Sequence, residues 1–169
     1  MVYIGMGFIR KPFVIQGDWL ILKIKNMKVD TKSLMVLKKV IKDKLGVDAE
    51  ITKDEMARYD LFFSYNGKEW IGESKVRRFG YGQYKDTMIN EDKYNFLIKN
   101  NAMLFVFFYD GLYVCQDIAK AFKYKKEIYC KNKTDFSGGY NTWSTKVYLD
   151  LDKFKKLDIE PAMIEWIYM

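Results

Sequence analysis

The segment YDLFFSYNGKEWIGESK, residues 59–75, decides the fold, because it predicts two strands joined by a tight turn. Its Asn66-Gly67 pair is a strong signal for a type I′ hairpin, since both central residues of that turn have positive φ. A two-residue turn fixes the register of the two strands outward from it. In that register Asp60 faces Glu73, with their Cβ atoms roughly 4.5–5.5 Å apart.

The two facing carboxylates need an explanation, because like charges directly opposite each other destabilise a sheet. Lys75 shares their face, since side chains alternate along a strand. One explanation is a surface network in which Arg58 and Lys75 neutralise both acids, each pair contributing about 1 kcal/mol or less. The other explanation is a cation held between the two acids, at the end of the hairpin away from the turn. The hairpin alone leaves both open.

Length and composition predict one folded domain over residues 1–169, and the order of the predicted helices and strands makes it an α/β domain. The chain is 49% apolar and 17% aromatic, with no apolar run long enough to span a membrane. The N-terminus lacks a signal-peptide pattern, and two cysteines without paired spacing predict a reducing, cytoplasmic setting. The net charge of +7 favours a polyanionic partner, although surplus lysine is also common on ordinary protein surfaces.

The chain contains no histidine. This absence excludes Ser-His-Asp triads, Cys-His dyads, histidine-ligated phosphohydrolases and HNH-type nucleases. Any hydrolytic chemistry must therefore rest on carboxylates, lysine and a metal ion.

The hydrophobic pattern predicts a series of elements along the chain. Tryptophans 19, 143 and 166 are expected in the core. The predicted elements are a strand pair over 1–25, a helix over 31–45 capped by Asp30 and ended by Gly46, a short strand near 47–52, the hairpin, a loop over 77–87, a helix over 90–99, a strand over 102–109, a turn at Asp110-Gly111 into a strand over 112–115, a short helix over 118–126 capped by Asp117, a loop over 131–141, a strand over 143–151 and a helix over 161–166.

The order of helix, strand, hairpin, helix and strand, with D60-x12-E73-x-K75 in the hairpin, resembles the PD-(D/E)xK nuclease superfamily, which includes restriction endonucleases and Holliday-junction resolvases. The match spans about residues 31–116. It implies a restriction-endonuclease-like α/β fold, with a central mixed sheet flanked by helices, an N-terminal strand pair and a C-terminal strand–helix extension. The stretch YKDTMINEDKYNFL, residues 84–97, is similar to the helix that follows the motif in several families.

The sequence departs from the family pattern at two places. Tyr59 stands where the family name has proline. The family often places a further acid on its first helix, and the lysine-rich helix here offers only Asp43. The alternatives for this acid are Glu50, Asp54 and Glu55.

The resemblance implies a Mg²⁺ or Mn²⁺ site made by Asp60, Glu73 and the backbone carbonyl of Ser74. Such hard oxygen ligands suit Mg²⁺, which keeps several of its waters. A metal ion between the acids would also remove their repulsion. Lys75 would orient the attacking water or neutralise the scissile phosphate. Asp60, Glu73 and Lys75 are the predicted catalytic residues.

A basic and aromatic segment follows the motif. The predicted contacts to nucleic acid are Arg77, Arg78, Tyr84, Lys85 and Lys93. Aromatic residues that alternate with basic ones suit exposed bases and phosphates, while the alternative is a solvated loop with Phe79, Tyr81 and Tyr84 folded onto the core. A second basic run, KYKKEIYCKNK over 123–133, favours a solvated face over a specific site.

The sequence therefore predicts a metal-dependent nuclease that hydrolyses phosphodiester bonds, with DNA as the expected substrate and endonuclease activity as the expected mode. A homodimer and a phage or mobile-element source fit the small size, and no membrane partner is expected. The alternative is a non-catalytic nucleic-acid-binding or virion component that keeps the nuclease fold. A third possibility is a small interaction protein in which the charges form a surface network.

Overall fold

The computed structural model describes residues 27–53, 57–130 and 142–169. Within them the protein is an α/β fold in which helices flank a mixed β-sheet, as predicted. The predicted strand pair over 1–25, the loop over 131–141 and the candidate acids Asp54 and Glu55 lie outside the described residues.

The described residues form three α-helices, nine strands and a short 3-10 helix. They are, in chain order, α1 (Val29–Leu45), β1 (Glu50–Ile51), β2 (Leu61–Tyr65), β3 (Lys68–Val76), β4 (Asp86–Asn90), α2 (Glu91–Lys99), β5 (Met103–Phe108), β6 (Gly111–Cys115), β7 (Phe122–Cys130), β8 (Thr142–Asp150), the 3-10 helix (Leu151–Lys153), β9 (Lys155–Leu157) and α3 (Pro161–Tyr168).

Strands β2 and β3 form the predicted hairpin. Tyr65 faces Lys68, and the pairing continues without a shift to Leu61 opposite Gly72. Asn66 and Gly67 have φ values of 52° and 70°, as a type I′ turn requires. The local turn chemistry therefore sets the register, and this part of the prediction is confirmed.

The main sheet has six strands in the order β1-β2-β3-β5-β6-β9. Strands β3 and β5 run parallel, and β4 and α2 lie between them in the chain. The remaining neighbours are antiparallel. Every residue of β5 is buried, which agrees with the continuous apolar sequence of this strand.

A hydrophobic core lies on each face of the main sheet. On one face α1 and α3 pack against the sheet, with Leu37 and Phe107 fully buried. On the other face α2 and a second sheet form a separate core around Leu97 and Leu149. Burial of each such side chain contributes roughly 1.5–3 kcal/mol, so both cores hold the central strands in place.

Helix α1 begins before the predicted cap. Its N-cap is Lys28, and Asp30 lies in the first turn, so the prediction of an Asp30 cap is wrong. The Asp30 carbonyl instead accepts a hydrogen bond from Ser33 Oγ. Gly46 ends the helix in the left-handed conformation with φ of 72°, as predicted.

The second sheet has three antiparallel strands in the order β4-β8-β7. Strand β7 occupies much of the segment predicted as a helix over 118–126, so that prediction is wrong. The turn at Asp117 closes with a hydrogen bond from Lys120 N to Asp117 Oδ1, and the chain becomes extended at Phe122. Pairing with β8, a distant segment, overrides the local helix preference.

In residues 27–53, 57–130 and 142–169, we find no helix with the length and apolar character needed to cross a bilayer.

Candidate functional site

Glu73 lies at the centre of the candidate site and is 1% exposed. Its Oε1 is 2.5 Å from Lys75 Nζ, and its Oε2 is 2.8 Å from Lys93 Nζ. The two lysines are 34% and 25% exposed, so their ammonium groups border the solvent. A buried carboxylate is costly unless it is paired and hydrogen-bonded, and these two lysines satisfy both of its oxygens.

Two elements bring the lysines to Glu73. Residues 73 and 75 share one face of β3 because side chains alternate along a strand. Lys93 comes from the first turn of α2 and also donates to the backbone carbonyl of Arg58, at 2.9 Å. Lys93 is one of the predicted nucleic-acid contacts, and the structure places it against Glu73 instead. The sequence signal for this position is that Lys93 lies in the helix that follows the motif.

Asp60 lies just beyond the end of β2. Its backbone N–H donates to Gly72 O at 3.0 Å, while Leu61 pairs with the same Gly72. Asp60 and Leu61 thus both oppose Gly72, an arrangement typical of a β-bulge, which re-aims a side chain. Asp60 therefore lies outside the regular pairing of β2 with β3, and the register set by the turn does not fix the direction of its carboxylate. Its Oδ2 accepts a hydrogen bond from Ser74 N at 2.7 Å.

The pKa of Asp60 is raised above its ordinary value. Burial is the largest cause, and the charge of Glu73 is the second. The hydrogen bond from Ser74 and the charges of Lys75 and Lys93 act in the opposite direction. The balance means that the negative charge of Asp60 is only partly compensated, so a further cation at this place would be favourable.

Ser74 links the two acids to helix α1. Its N–H points toward Asp60, and in a strand the carbonyl of the same residue points to the same lateral side. Its hydroxyl oxygen lies 3.3 Å from Ser33 Oγ of α1, in a buried contact. Helix α1 therefore contributes Ser33 to the surroundings of the site. Asp43, the acid that the sequence offered on this helix, pairs with Lys39 on the protein surface.

The oxygen atoms of Asp60, Glu73 and the Ser74 carbonyl match the chemistry of a Mg²⁺ or Mn²⁺ site. Against this, both Glu73 oxygens already contact lysines. In addition, the described part of the chain holds no cluster of three acidic, histidine or cysteine side chains. The residues fit a metal ion that has few protein ligands and several water ligands, which is the usual coordination of Mg²⁺.

Arg77, a predicted nucleic-acid contact, is tied to the second sheet. Its Nε donates to Thr87 Oγ1 at 3.0 Å, and its Nη2 donates to Met88 O at 2.5 Å. Burial lowers the pKa of its guanidinium. Arg77 therefore connects the end of β3 to β4.

The loop after Arg77 divides into a packed part and an exposed part. Tyr81 stacks on Tyr113 with centroids 3.9 Å apart, and its hydroxyl donates to Leu151 O at 2.7 Å. Phe79 packs on the same core, so the predicted alternative holds for these two rings. The other predicted contacts, Arg78, Tyr84 and Lys85, are exposed and lie in or beside this loop.

Arg58 does not form the charge network considered from the sequence. Among the described residues no carboxylate pairs with its guanidinium, and Glu73 takes Lys93 in its place. Arg58 and α2 border an open cavity of about 340 Å³ next to the site. The other residues that line this cavity are Asp92, Asn95, Phe96, Lys99 and Asn100.

We compared the chain with known families and with curated proteins. No protein-family model matches it, and no curated protein matches it. A function for this protein therefore rests on the geometry and the chemistry of the residues around Glu73.

Proposed function

We propose that the protein is a metal-dependent nuclease of the PD-(D/E)xK type that cleaves DNA internally. The observation that carries the proposal is the buried Glu73 between Lys75 and Lys93, beside an Asp60 held at the end of β3. Two acids and a lysine at the end of a central strand provide what metal-assisted phosphodiester hydrolysis requires.

The order of elements supports this proposal. Helix α1 is followed by the antiparallel strands β1, β2 and β3, then by α2, and then by β5, which runs parallel to β3. This order resembles the restriction-endonuclease-like core, with β4 as an additional strand before α2. The motif residues Asp60, Glu73 and Lys75 lie at the hairpin end that the resemblance implies.

Asp60, Glu73 and the carbonyl of Ser74 would hold the metal ion. When bound, Mg²⁺ or Mn²⁺ supplies an activated water and stabilises negative charge that develops on the phosphate. Without a metal ion, the formal charges of the two acids and the two lysines cancel. A bound divalent cation would give the group a net positive charge, which suits it to a negatively charged phosphodiester.

Lys75 and Lys93 have different tasks in this proposal. Lys75 is the more exposed of the two and is free to turn from Glu73 toward a water or a phosphate oxygen. Lys93 is anchored on the Arg58 carbonyl as well as on Glu73. It therefore orients the carboxylate while Lys75 contacts the substrate.

A second candidate function is nucleic-acid binding without catalysis. It is favoured by the pairing of both Glu73 oxygens with lysines, because a purely structural charge cluster needs no metal ion. The two functions differ in whether Asp60 takes part in metal binding. Calorimetric titration with Mn²⁺ separates them, since only the nuclease gives binding heat that disappears in Asp60→Asn.

Cleavage assays test the proposed activity directly. Circular, linear and branched DNA are incubated with the protein in Mg²⁺ or EDTA, and the products are resolved on gels. We expect Mg²⁺-dependent nicking that is lost in Asp60→Asn and in Lys75→Met. The matched control is Asp43→Asn, which removes an exposed acid on α1. Full cleavage by both site variants would refute the assigned residues.

A further inference from the structure

The second sheet carries an unusual share of exposed apolar side chains. Trp143 is 68% exposed and Tyr124 is 42% exposed, although both lie in strands. Five of the eleven large apolar side chains that are exposed among the described residues belong to this sheet. They are Met88, Phe122, Tyr124, Tyr129 and Trp143. Met88 and Tyr124 lie on the face that points away from the core, where exposed apolar side chains mark an interaction surface. Phe122, Tyr129 and Trp143 lie on the opposite face.

One row of these side chains crosses the sheet. Met88 pairs with Tyr148, and Tyr148 pairs with Tyr124, so the three share the face that points away from the core. The Tyr124 and Tyr148 rings are stacked, with centroids 4.5 Å apart and planes 13° from parallel. Among the described residues, β7 is an edge strand of this sheet. A planar group would extend this stack.

A second aromatic pair lies where β7 and β8 extend past β4. Strand β4 pairs with β8 only from Lys146 to Asp150, so the rest of the two long strands forms a two-stranded arm. Tyr129 faces Trp143 on this arm, with ring centroids 5.3 Å apart. Because side chains alternate along a strand, this pair lies on the face opposite to that of Tyr124 and Tyr148 and is not part of the same surface.

Lysines alternate with these rings. Lys126 and Lys146 face each other next to the Tyr124–Tyr148 stack, and no described acid pairs with either. Lys123 and Lys125 pair with Asp86 and Glu91 at 3.1 Å, in partly exposed contacts. Exposed pairs of this kind contribute little and exchange readily for a phosphate.

We propose that the outer face of this sheet binds single-stranded nucleic acid, with a base stacked on Tyr124 and phosphates held by Lys126 and Lys146. Stacking on aromatic side chains combined with lysines along the backbone path is the usual chemistry of single-strand binding. A second copy of the chain would bring lysines against lysines, and an apolar peptide would leave them unpaired. A polyanion with planar groups matches both features.

The second sheet adjoins the candidate active site through α2, which packs on the face opposite to the Tyr124–Tyr148 stack. Lys125 contacts Glu91 in the first turn of α2, and the rings of Phe122 and Tyr94 lie 5.8 Å apart. The same helix carries Lys93 to Glu73. The proposed surface goes beyond the nuclease proposal, since it binds nucleic acid without a metal ion and without cleavage.

Fluorescence anisotropy of a labelled single-stranded oligonucleotide, titrated with the full chain in EDTA, tests the proposal. Valine favours strands and removes the ring, so Tyr124→Val and Tyr148→Val preserve the sheet. We expect each to weaken binding by about fivefold or more. Tyr109→Val, which removes an exposed ring outside this sheet, is the matched control. Lys126→Ala should reduce the slope of log affinity against log salt concentration by about 0.7, whereas Lys38→Ala on α1 should leave this slope unchanged.

Unchanged affinity in both aromatic variants would overturn the proposal, as would duplex DNA that binds as tightly as the single strand. A loss in the lysine variants alone would also overturn it, because binding would then be purely electrostatic. The EDTA buffer keeps this result separate from the nuclease proposal. A protein that binds in EDTA but never cleaves in Mg²⁺ supports the surface and refutes the activity.

Discussion

The ammonium group of Lys93 lies 2.8 Å from Oε2 of the buried Glu73, so an ion pair joins helix α2 to strand β3 at the candidate site. The pair has a structural role whether or not a metal ion binds. Removal of one partner from a buried charge pair leaves the other charge without compensation. The stability of the fold and the geometry of the site are therefore linked through this contact.

Lys93→Met is expected to destabilise the protein by about 1–3 kcal/mol, because Glu73 keeps only Lys75 as a cationic partner. Urea unfolding followed by circular dichroism measures the change. The control is Lys99→Met, an exposed lysine in the last turn of the same helix. Equal stability of the two variants would contradict the structural role of Lys93.

Asp60→Asn is expected to stabilise the metal-free protein at neutral pH. The pKa of Asp60 is raised in the folded state, mainly by burial and then by Glu73. The folded protein therefore binds this proton more tightly, and the contribution of Asp60 to stability grows as the pH falls through the raised pKa. This gain in stability is complete when the pH is below 3.8, the ordinary pKa of an aspartate.

The asparagine keeps an oxygen for the Ser74 N–H and has no charge, so that part of the pH dependence should disappear. Thermal unfolding between neutral pH and the carboxyl range measures both effects. Asp43→Asn, at an exposed position, serves as the control. A lower stability of Asp60→Asn at neutral pH would show that Lys75 and Lys93 already compensate the Asp60 charge.

Mg²⁺ or Mn²⁺ is expected to raise the melting temperature of the wild type. A ligand at a concentration 100 times its Kd stabilises the folded state by about 2.7 kcal/mol. The shift should vanish in Asp60→Asn. It should also weaken on acidification at a higher pH than for an ordinary carboxylate, since the pKa of Asp60 is raised. Equal shifts in wild type and Asp60→Asn would place metal binding elsewhere.

Gly72→Ala is expected to destabilise the protein by about 1–3 kcal/mol, which is typical of overpacking. A Cβ at this position would lie 3.0 Å from Phe105 Cε2 and 3.2 Å from Leu61 Cγ. The buried side chains of Phe105 and Leu61 would have to shift to make room for the added methyl group. The control is Gly80→Ala, where the nearest atom would be 3.7 Å away. Denaturant unfolding compares the two variants.

The hairpin could be predicted because its information is local. Asn66 and Gly67 specify the turn, and the turn specifies the pairing up to Leu61. The position of Asp60 depends in addition on a contact outside the hairpin, since its carbonyl accepts a hydrogen bond from Thr52 N. No pattern within residues 59–75 carries that information.

The errors in the second half of the chain have the same physical cause. The segment around Phe122 has enough lysine and alanine to favour a helix, but strand β8 pairs with it from a distance. The predicted loop over 77–87 and the predicted helix over 90–99 each overlap one end of strand β4, which also pairs with the distant strand β8. Trp143 was expected in the core and is exposed on the arm, because the sheet continues beyond the body that would cover it.

The parallel pairing of β3 with β5 has a consequence for how the protein folds. Glu73 and Lys75 lie in β3, while Lys93 arrives on the connection that leads to β5. Contacts between distant segments form slowly, because the intervening chain must first be ordered. A fragment that ends before residue 103 contains all four charged residues of the site and yet lacks the strand that fixes the connection. We therefore expect these charges to assemble late, when the polypeptide has completed its crossover.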